Sequence, residues 1–382
     1  MFKGKLVKKL LTLTLTAVAS LQLIAAEGTS LKLAERELPV SSHASEPIKD
    51  IISTLPAPDL EALRNAPALH TPEEWKAFVA EFNRKGIKEG IALAETLNVH
   101  YERGEINGVD VYHVTPSEIA PKYKNNLFVH IHGGAWLYGG NESSLRESVR
   151  IAHQLKIPVV SIDYRKAPDH PAPAAVNDVV AVWSHLITER PADSMMIGGT
   201  SAGGNISTAS VLRFRDLGLP LPAAVFIGTP AAVLTNTTDS RIINEGVDIG
   251  LGTWDGLITA TVDQYLDGQS PVDPYISPLY GEFDGFPPSI LVTGTRDLLL
   301  SDTVLIHRAI RDAGSPAALH VYEGHSHGFY LIPGDDMENF YNELDSFAKD
   351  NLKSYRKFRN KDLASPVNLH EIMIPENNII SL

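Results

Sequence analysis

Apolar positions along this chain form two patterns that alternate from about residue 98 to residue 353. Short continuous apolar runs predict buried strands at Leu127–His132, Pro158–Tyr164, Ser194–Gly198, Ala223–Thr229, Ser289–Thr293 and Ala318–Tyr322. Apolar residues at helical spacing predict helices near Ser144–Leu155, Ala175–Thr188, Ala202–Leu217, Trp254–Leu266, Asp302–Ala313 and Met337–Lys353. Such alternation indicates an α/β fold, in which helices cover both faces of a mostly parallel sheet.

Two further patterns precede this alternation. Apolar and polar residues alternate in segments 98–102 and 109–114 around Asn107-Gly108, which predicts an antiparallel hairpin at one edge of the sheet. Between residues 58 and 97 the spacing is helical, and Thr71-Pro72-Glu73-Glu74 supplies a cap residue, a first-turn proline and acids. This helical segment has two interpretations, a pair of helices packed on the surface or a lid over an active site.

The composition narrows the possible partners. Of 382 residues, 46 are acidic and 33 are basic, and the net charge of −13 disfavours nucleic acid and anionic membrane surfaces. The chain contains no cysteine, which excludes disulfides, a cysteine nucleophile, thiolate metal sites and a lipoprotein anchor. His, Asp and Glu form no set at metal-ligand spacing, and phosphate-loop and dinucleotide fingerprints are absent from the sequence. We therefore expect neither a metal nor a cofactor.

The first 26 residues have the three parts of a secretory signal peptide. Lysines at positions 3, 5, 8 and 9 precede an apolar stretch from Leu10 to Ala26, and small residues follow. The alternative is a single membrane anchor, for which a stretch of about 17 residues is short. No later stretch of the sequence is long and apolar enough to span a membrane. We predict cleavage after Ala26 or Ala19 and export to the periplasm or the extracellular space.

A serine stands where the predicted strand at Ser194–Gly198 turns into a helix. The run Gly199-Thr200-Ser201-Ala202-Gly203 matches Gly-x-Ser-x-Gly, a pattern that places the serine on a sharp turn with its hydroxyl above the sheet. Glycine has no Cβ, so the strand and the helix can approach closely. The alternative is a surface loop rich in glycine and serine, and the other strand ends decide between the two.

Candidate backbone donors follow an earlier strand, at Ile131-His132-Gly133-Gly134-Ala135-Trp136. Two consecutive glycines, Gly133 and Gly134, let successive N–H groups face a cleft, which is what an oxyanion hole requires. The N–H of Ala202 would add a third donor. The alternative is an ordinary glycine turn after a strand. We expect His132 to brace this loop by hydrogen bonding.

An acid and a base follow two later strands. Asp297 and His327 give the chain order Ser, Asp, His, which is found in one class of hydrolase. A serine hydroxyl needs a neutral imidazole to take its proton, and the imidazole needs a carboxylate to fix its tautomer. Asp302 is the rival acid, but we predict that it caps the following helix. His325 is the rival base, two residues before His327.

Taken together, six motifs resemble the hormone-sensitive-lipase-like carboxylesterases of the α/β-hydrolase fold. The resemblance covers roughly residues 100–350, and its motifs are His132-Gly133-Gly134-Ala135-Trp136, Asp163 to Pro171, Gly199 to Gly204, Tyr275-Ile276-Ser277-Pro278-Leu279, Asp297 to Asp302 and His327-Gly328-Phe329. The resemblance implies Ser201 as nucleophile, His327 as base and then acid, and Asp297 as its orienting carboxylate. It also implies Gly133, Gly134 and Ala202 as oxyanion donors, and a cap that contains Trp75, Phe78 and Phe82.

Two positions bear on the family pattern. Ala135 stands where the family usually has glycine or alanine, so alanine is tolerated there, although its side chain would narrow the pocket. Thr200 precedes the nucleophile where the family usually has aspartate, so the hydrogen bonds that support the turn must differ. The resemblance otherwise predicts an exported serine carboxylesterase that hydrolyses small to medium esters through an acyl-enzyme. Hydrolysis of an amide, lactone or thioester on the same triad stays open, as do a catalytically silent ligand-binding protein and a homodimer.

The predicted domain organisation follows from these patterns. We expect a signal peptide at residues 1–26, an N-terminal arm and helical cap at 27–97, and the α/β-hydrolase catalytic domain at 98–353. Residues 354–382 would form a C-terminal tail. Within the second segment, residues 27–57 are rich in proline, serine and charge with little periodicity, which indicates a linker or a loosely held arm.

Overall fold

The computed structural model describes residues 37–56, 58–65, 69–353 and 373–374. The chain divides into two compact units, residues 1–39 and 40–382. In the first unit, the described residues 37–39 form neither helix nor strand. The predicted signal peptide and most of the predicted tail lie outside the described residues. The helices, the strands and the candidate site all belong to the second unit.

In the part of the chain that the structure describes, eight strands form one sheet. They are β1 (His100–Ile106), β2 (Val109–Thr115), β3 (Leu127–Ile131), β4 (Val159–Ile162), β5 (Met195–Thr200), β6 (Ala224–Gly228), β7 (Ser289–Gly294) and β8 (Ala317–Tyr322). Their order is β1-β2-β4-β3-β5-β6-β7-β8. The β1–β2 and β2–β4 pairs are antiparallel, and the other neighbours are parallel. The predicted sheet, with its antiparallel hairpin at one edge, is confirmed.

Helices connect and precede these strands. They are α1 (Glu46–Thr54), α2 (Leu60–Arg64), α3 (Pro72–Thr96), α4 (Leu145–Leu155), α5 (Ala174–Glu189), α6 (Ala202–Asp216), α7 (Asp239–Ile243), α8 (Leu257–Leu266), α9 (Leu300–Asp312) and α10 (Asp335–Asn351). Helix α1 lies within the segment interpreted as a linker or a loosely held arm, so residues 46–54 are regular where little periodicity was expected. Ile48, Ile51 and Ile52 stand at helical spacing in this short segment, and Ile48 is buried.

The strands separate two apolar layers. Along β3, Phe128 packs into one layer and Val129 into the other, because successive side chains of a strand point to opposite faces. Trp183 of α5 and Phe214 of α6 lie in the layer of Val129, whereas Phe340 of α10 lies in that of Phe128. Burial on both faces explains why these strands are continuous apolar runs rather than alternating ones.

Helix α3 packs across the segment that follows the predicted donor loop. It begins with a capping box, in which Thr71 Oγ1 accepts from the N–H of Glu74 (3.2 Å) and the Glu74 carboxylate accepts from the N–H of Thr71 (2.9 Å). Two of its glycines meet the turn Asn141–Ser144. A Cβ on Gly86 would lie 2.1 Å from Ser143 Oγ, and one on Gly90 would lie 2.0 Å from the Glu142 carbonyl oxygen. These contacts hold α3 close to the carboxyl edge of the sheet.

Candidate active site

Ser201 occupies the turn between β5 and α6, with φ 62° and ψ −122°. A positive φ is strained for any residue other than glycine, and such strain is concentrated at functional sites. The Ser201 N–H donates to the Gly228 carbonyl (2.8 Å) and its carbonyl accepts from the Asn205 N–H (3.0 Å). A Cβ on Gly199 or Gly203 would lie 1.8 or 2.1 Å from the Ile131 carbonyl oxygen. Only glycine therefore fits on either side of this turn.

The loop after β3 runs beside Ser201. A Cβ on Gly133 would lie 3.4 Å from Ser201 Cβ, and Gly134 has φ 117°. Within residues 69–353, the N–H groups of Gly133 and Gly134 donate to no other residue. Ala202 is the first residue of α6, where N–H groups have no acceptor within the helix. The structure thus brings the three predicted donors of an oxyanion hole next to the serine.

His132 braces this loop, as the sequence led us to expect. Its Nδ1 donates to the Gly133 carbonyl (2.7 Å), and its ring stacks on Tyr164 with the ring centres 4.2 Å apart. The Tyr164 hydroxyl in turn donates to the His132 carbonyl (3.0 Å). Burial lowers the pKa of His132 and so favours the neutral ring, which supplies packing and hydrogen bonds.

His327 and Asp297 are hydrogen-bonded, with 3.1 Å between Nδ1 of the imidazole and Oδ1 of the carboxylate. Burial of the His327 ring favours its neutral form, but the charge and hydrogen bond of Asp297, together with the charge of Asp248, outweigh burial and raise the pKa of His327. The Asp297 carboxylate also accepts from the Leu299 N–H (2.8 Å) and from the Thr293 hydroxyl (3.2 Å). These donors hold the carboxylate in place against Nδ1.

Thr229 also belongs to this group, although no sequence motif marks it. Its hydroxyl donates to Asp297 Oδ2 and lies 3.3 Å from His327 Nδ1. Thr229 directly follows β6 and has φ 33°, a conformation unusual for a branched residue. Its position at the end of a predicted strand is a signal that could have found it, since reactive groups gather at that edge.

The rival acid, Asp302, and the rival base, His325, do not line the cavity of Ser201 and have other partners. His325 Nε2 is 2.8 Å from Asp336 of α10, and burial lowers the pKa of His325. Asp302 does not cap α9, because Leu299 holds the capping position and Asp302 lies within the first turn. The predicted role of Asp302 as a cap is therefore wrong. Its buried carboxylate instead pairs with the buried Arg241 (2.6 Å) and accepts from the Ala232 N–H (2.8 Å).

Ser201 and His327 line one cavity of about 570 Å³. Gly133, Gly134 and Thr200 line it from the sheet side, and Phe82 and Glu89 line it from α3. Helix α4 contributes three charged residues, Arg146, Glu147 and Arg150. A larger cavity of about 730 Å³ lies on another side of α3 and contains neither Ser201 nor His327. We therefore assign the chemistry to the smaller cavity.

Of the three aromatic residues that the family resemblance assigned to a cap, Phe82 alone lines this cavity. Trp75 is buried in the core, and Phe78 packs against Trp75 and Tyr138 with ring centres 6.2 Å from each. The Phe82 ring lies 4.4 Å from that of Tyr138. In addition, the Gly139 N–H donates to Asn83 Oδ1 (2.8 Å). Helix α3 is thus attached directly to the loop that carries the predicted oxyanion donors.

Thr200, the departure from the family pattern, belongs to a buried network behind the serine. Its hydroxyl bonds to Glu147 of α4 and lies 2.6 Å from the Tyr330 hydroxyl. The other oxygen of Glu147 lies 3.1 Å from His130 Nε2 on β3, and His130 Nδ1 lies 2.8 Å from the Ser161 hydroxyl on β4. A carboxylate from α4 is therefore hydrogen-bonded to the residue that stands in place of the family's aspartate.

We expect Thr200→Val to lower the free energy of unfolding by about 1–3 kcal/mol, because the buried Glu147 and Tyr330 oxygens lose a shared partner. Urea denaturation measures the change. Thr208→Val is the matched control, since Thr208 is also buried but bonds to a carbonyl of its own helix, that of Gly204 (2.8 Å). Equal destabilisation by the two variants would contradict a supporting role for the network.

A strained serine between β5 and α6, with a hydrogen-bonded histidine and acid at the same sheet edge, defines the class of the α/β hydrolases. Comparison with known proteins agrees, since the profile of the alpha/beta hydrolase fold family matches residues 128–331. The chain belongs to the α/β-hydrolase fold family. The predicted resemblance to the hormone-sensitive-lipase-like carboxylesterases within it is also confirmed.

Several relatives of this chain are named as esterases or as hydrolases. The crystal structure of an esterase, E25, superposes with a TM-score of 0.82 at 40% identity, covering 85% of this chain and 100% of that one. The acetyl-hydrolase of Streptomyces hygroscopicus is 29% identical over 68% of this chain and 85% of its own length. The arylesterase of Saccharolobus solfataricus is 31% identical over 55% of this chain and 70% of its own length.

Membrane-spanning helices and metal-binding groups are both absent from the residues that the structure describes. Among the described residues, no helix combines the length and the apolar character that a membrane-spanning segment requires. Across the same residues, His, Asp and Glu form no group of three or more that could hold a metal ion.

Proposed function

We propose that this chain is a serine carboxylesterase that hydrolyses small to medium esters through an acyl-enzyme. The observation that carries the proposal is the arrangement at one cavity, where a strained serine lies with a histidine that is hydrogen-bonded to a buried carboxylate. The names of the relatives support ester hydrolysis as the reaction. The cavity of about 570 Å³ lies within the usual range for small-molecule sites.

In the proposed mechanism, Ser201 Oγ attacks the ester carbonyl while His327 Nε2 takes the hydroxyl proton. The N–H groups of Gly133, Gly134 and Ala202 stabilise the negative oxygen of the tetrahedral intermediate. Collapse of this intermediate breaks the ester bond, and His327 gives its proton to the leaving alcohol. A water molecule then gives a proton to His327 and attacks the acyl-enzyme, which releases the acid and restores Ser201. Asp297 stabilises the imidazolium in both halves of the reaction.

Labelling with a serine-directed reagent tests the nucleophile. We expect an aryl organophosphate to add one phosphoryl group to Ser201, which peptide mass spectrometry locates, and to abolish ester hydrolysis in proportion. The Ser201→Ala variant is the control and stays unlabelled. Ester hydrolysis that persists in fully treated protein, or a label on another residue, would contradict the assignment.

A matched pair of substrates tests the reaction type. With one acyl group on a p-nitrophenyl ester and on a p-nitroanilide, we expect the ester to have the higher kcat/KM, because alkoxide and phenoxide leave more readily than an amine. Faster cleavage of the anilide would contradict the esterase assignment and would indicate an amidase that uses the same triad.

Export and dimerisation are further parts of the proposal. The charged start and apolar stretch of residues 1–26 support a signal peptide. The amino-terminal sequence of the secreted protein would show whether the chain is cleaved and where.

A homodimer is supported by β8, which lies at the edge of the sheet with Val321 44% exposed. A monomer mass in light scattering at micromolar concentration would contradict it.

A further inference from the structure

Asp248 is a fully buried carboxylate that no sequence motif marks. It lies in the segment between α7 and α8, close to the loops that carry Asp297 and His327. A buried carboxylate is costly unless its oxygens accept hydrogen bonds or face a positive charge. The hydrogen-bond donors and charges around Asp248 therefore indicate its role.

Four backbone N–H groups donate to this one side chain. Oδ1 accepts from Gly250 (2.8 Å), from Leu251 (3.1 Å) and from His327 itself (3.3 Å). Oδ2 accepts from Leu298 (2.9 Å), the residue after Asp297. Asp248 thus ties together the loop of the acid, the loop of the base and its own loop, whose Gly250 lines the cavity.

The charge of Asp248 also acts on the imidazole. Burial raises the pKa of Asp248, and the nearby Asp297 charge raises it further, whereas a positive His327 lowers it. The same coupling makes the charge of Asp248 a contributor to the raised pKa of His327. The other charged side chains of the cavity, Glu89, Arg146, Glu147 and Arg150, belong to α3 and α4. The charges of two carboxylates, Asp297 and Asp248, therefore act on the His327 imidazole.

We propose that Asp248 is a positioning residue of the active site, which fixes the acid loop against the base loop and stabilises the imidazolium with a second buried negative charge. The proposal rests on the proposed function, because it assumes that His327 takes the proton of Ser201. It assigns Asp248 no contact with the substrate. A purely structural role would account for the four hydrogen bonds but not for an effect on the protonation of His327.

The test is the pH profile of ester hydrolysis by Asp248→Asn. Its side chain has one oxygen to accept hydrogen bonds and no charge, so the Leu298 N–H loses its acceptor. We expect kcat to fall by roughly 10- to 100-fold, the range set by losing a charge-assisted hydrogen bond, with KM nearly unchanged. Removing a negative charge lowers the pKa of His327. The acidic limb of kcat/KM should therefore move to lower pH, because the base stays neutral further into acid.

Asp178→Asn is the matched control. Asp178 is also a buried carboxylate that accepts from a backbone N–H, that of Arg165 (2.7 Å), but it lies on α5 outside the cavity. We expect this variant to lose stability and to keep the acidic limb of the wild type. An acidic limb in Asp248→Asn that stays at the wild-type pH would overturn the proposal, as would a kcat no lower than that of Asp178→Asn.

Asp248→Glu separates position from charge and replaces Asp248→Asn if that variant fails to fold. It keeps the negative charge but adds one methylene, which displaces the loops. We expect a lower kcat with the acidic limb near its wild-type position, and a wild-type kcat would overturn the proposal. If Ser201→Ala is inactive while the Asp248 variants behave like the wild type, the proposed role of Asp248 is wrong and the proposed function stands. If Ser201→Ala stays active, the proposed function fails.

Discussion

Ser201→Ala should lower kcat/KM for a short p-nitrophenyl ester by about 10⁴-fold or more, as loss of a triad nucleophile does in other serine hydrolases. The variant keeps the oxyanion donors and the imidazole but has no atom that can form the acyl-enzyme. Alanine adopts the same strained φ as serine, so the thermal unfolding midpoint should change little. Initial rates over a range of substrate concentrations, with circular dichroism to check the fold, measure both effects.

The control for this variant lies two turns away on the same helix. Ser207→Ala removes a buried hydroxyl that donates to the Gly203 carbonyl (2.6 Å), and it leaves the cavity unchanged. We expect it to retain near-normal kcat/KM. Near-normal hydrolysis by Ser201→Ala would show that another group carries the reaction and would remove the basis of the proposed mechanism.

Asp297→Asn should lower kcat by about 10⁴-fold, the magnitude found when the acid of a Ser-His-Asp triad becomes an amide. The amide can donate a hydrogen bond to His327 Nδ1, which leaves the proton on Nε2 and prevents that nitrogen from accepting the serine proton. Loss of the charge also lowers the pKa of His327. The residual activity should therefore have its acidic limb at lower pH than that of the wild type.

Asp336→Asn is the matched control for Asp297→Asn, because it alters the other acid–histidine pair, the one with His325. The chemistry of the two pairs is alike, but His325 and Asp336 do not line the cavity of Ser201. We expect Asp336→Asn to keep kcat within a few-fold of the wild type. A loss as large as that of Asp297→Asn would move the catalytic base from His327 to His325.

The centre of the sheet could be predicted because its strands, such as β3 and β5, are buried on both faces, which makes them continuous apolar runs. The candidate donors, acid and base could be located because each lies within a few residues of the end of a predicted strand. The Gly-x-Ser-x-Gly spacing reflects local sterics, since the chain must turn between β5 and α6 within a few residues. The strands, the strand ends and this turn are determined by residues close together in the sequence, so sequence patterns can predict them.

The residues that sequence reasoning missed depend on distant partners. Thr229 and Asp248 act on Asp297 and His327, which follow them by 68 and 79 positions, and neither stands in a recognisable spacing. Asp302 turns inward because Arg241, 61 positions earlier, brings a buried charge to it. Thr200 could be marked as unusual, but its partner Glu147 lies 53 positions earlier on another helix. Only the folded chain brings these pairs together.

The two glycines of the turn at Ser201 both face the carbonyl oxygen of Ile131, at the end of the strand that leads into the donor loop. Any side chain at either position would separate β5 from β3 and move the nucleophile relative to its oxyanion donors. A mutant library made to broaden the range of accepted esters should therefore hold Gly199 and Gly203 fixed. Variation belongs on the opposite wall, where Phe82 is 45% exposed and replacements can reshape the cavity without moving the reacting groups.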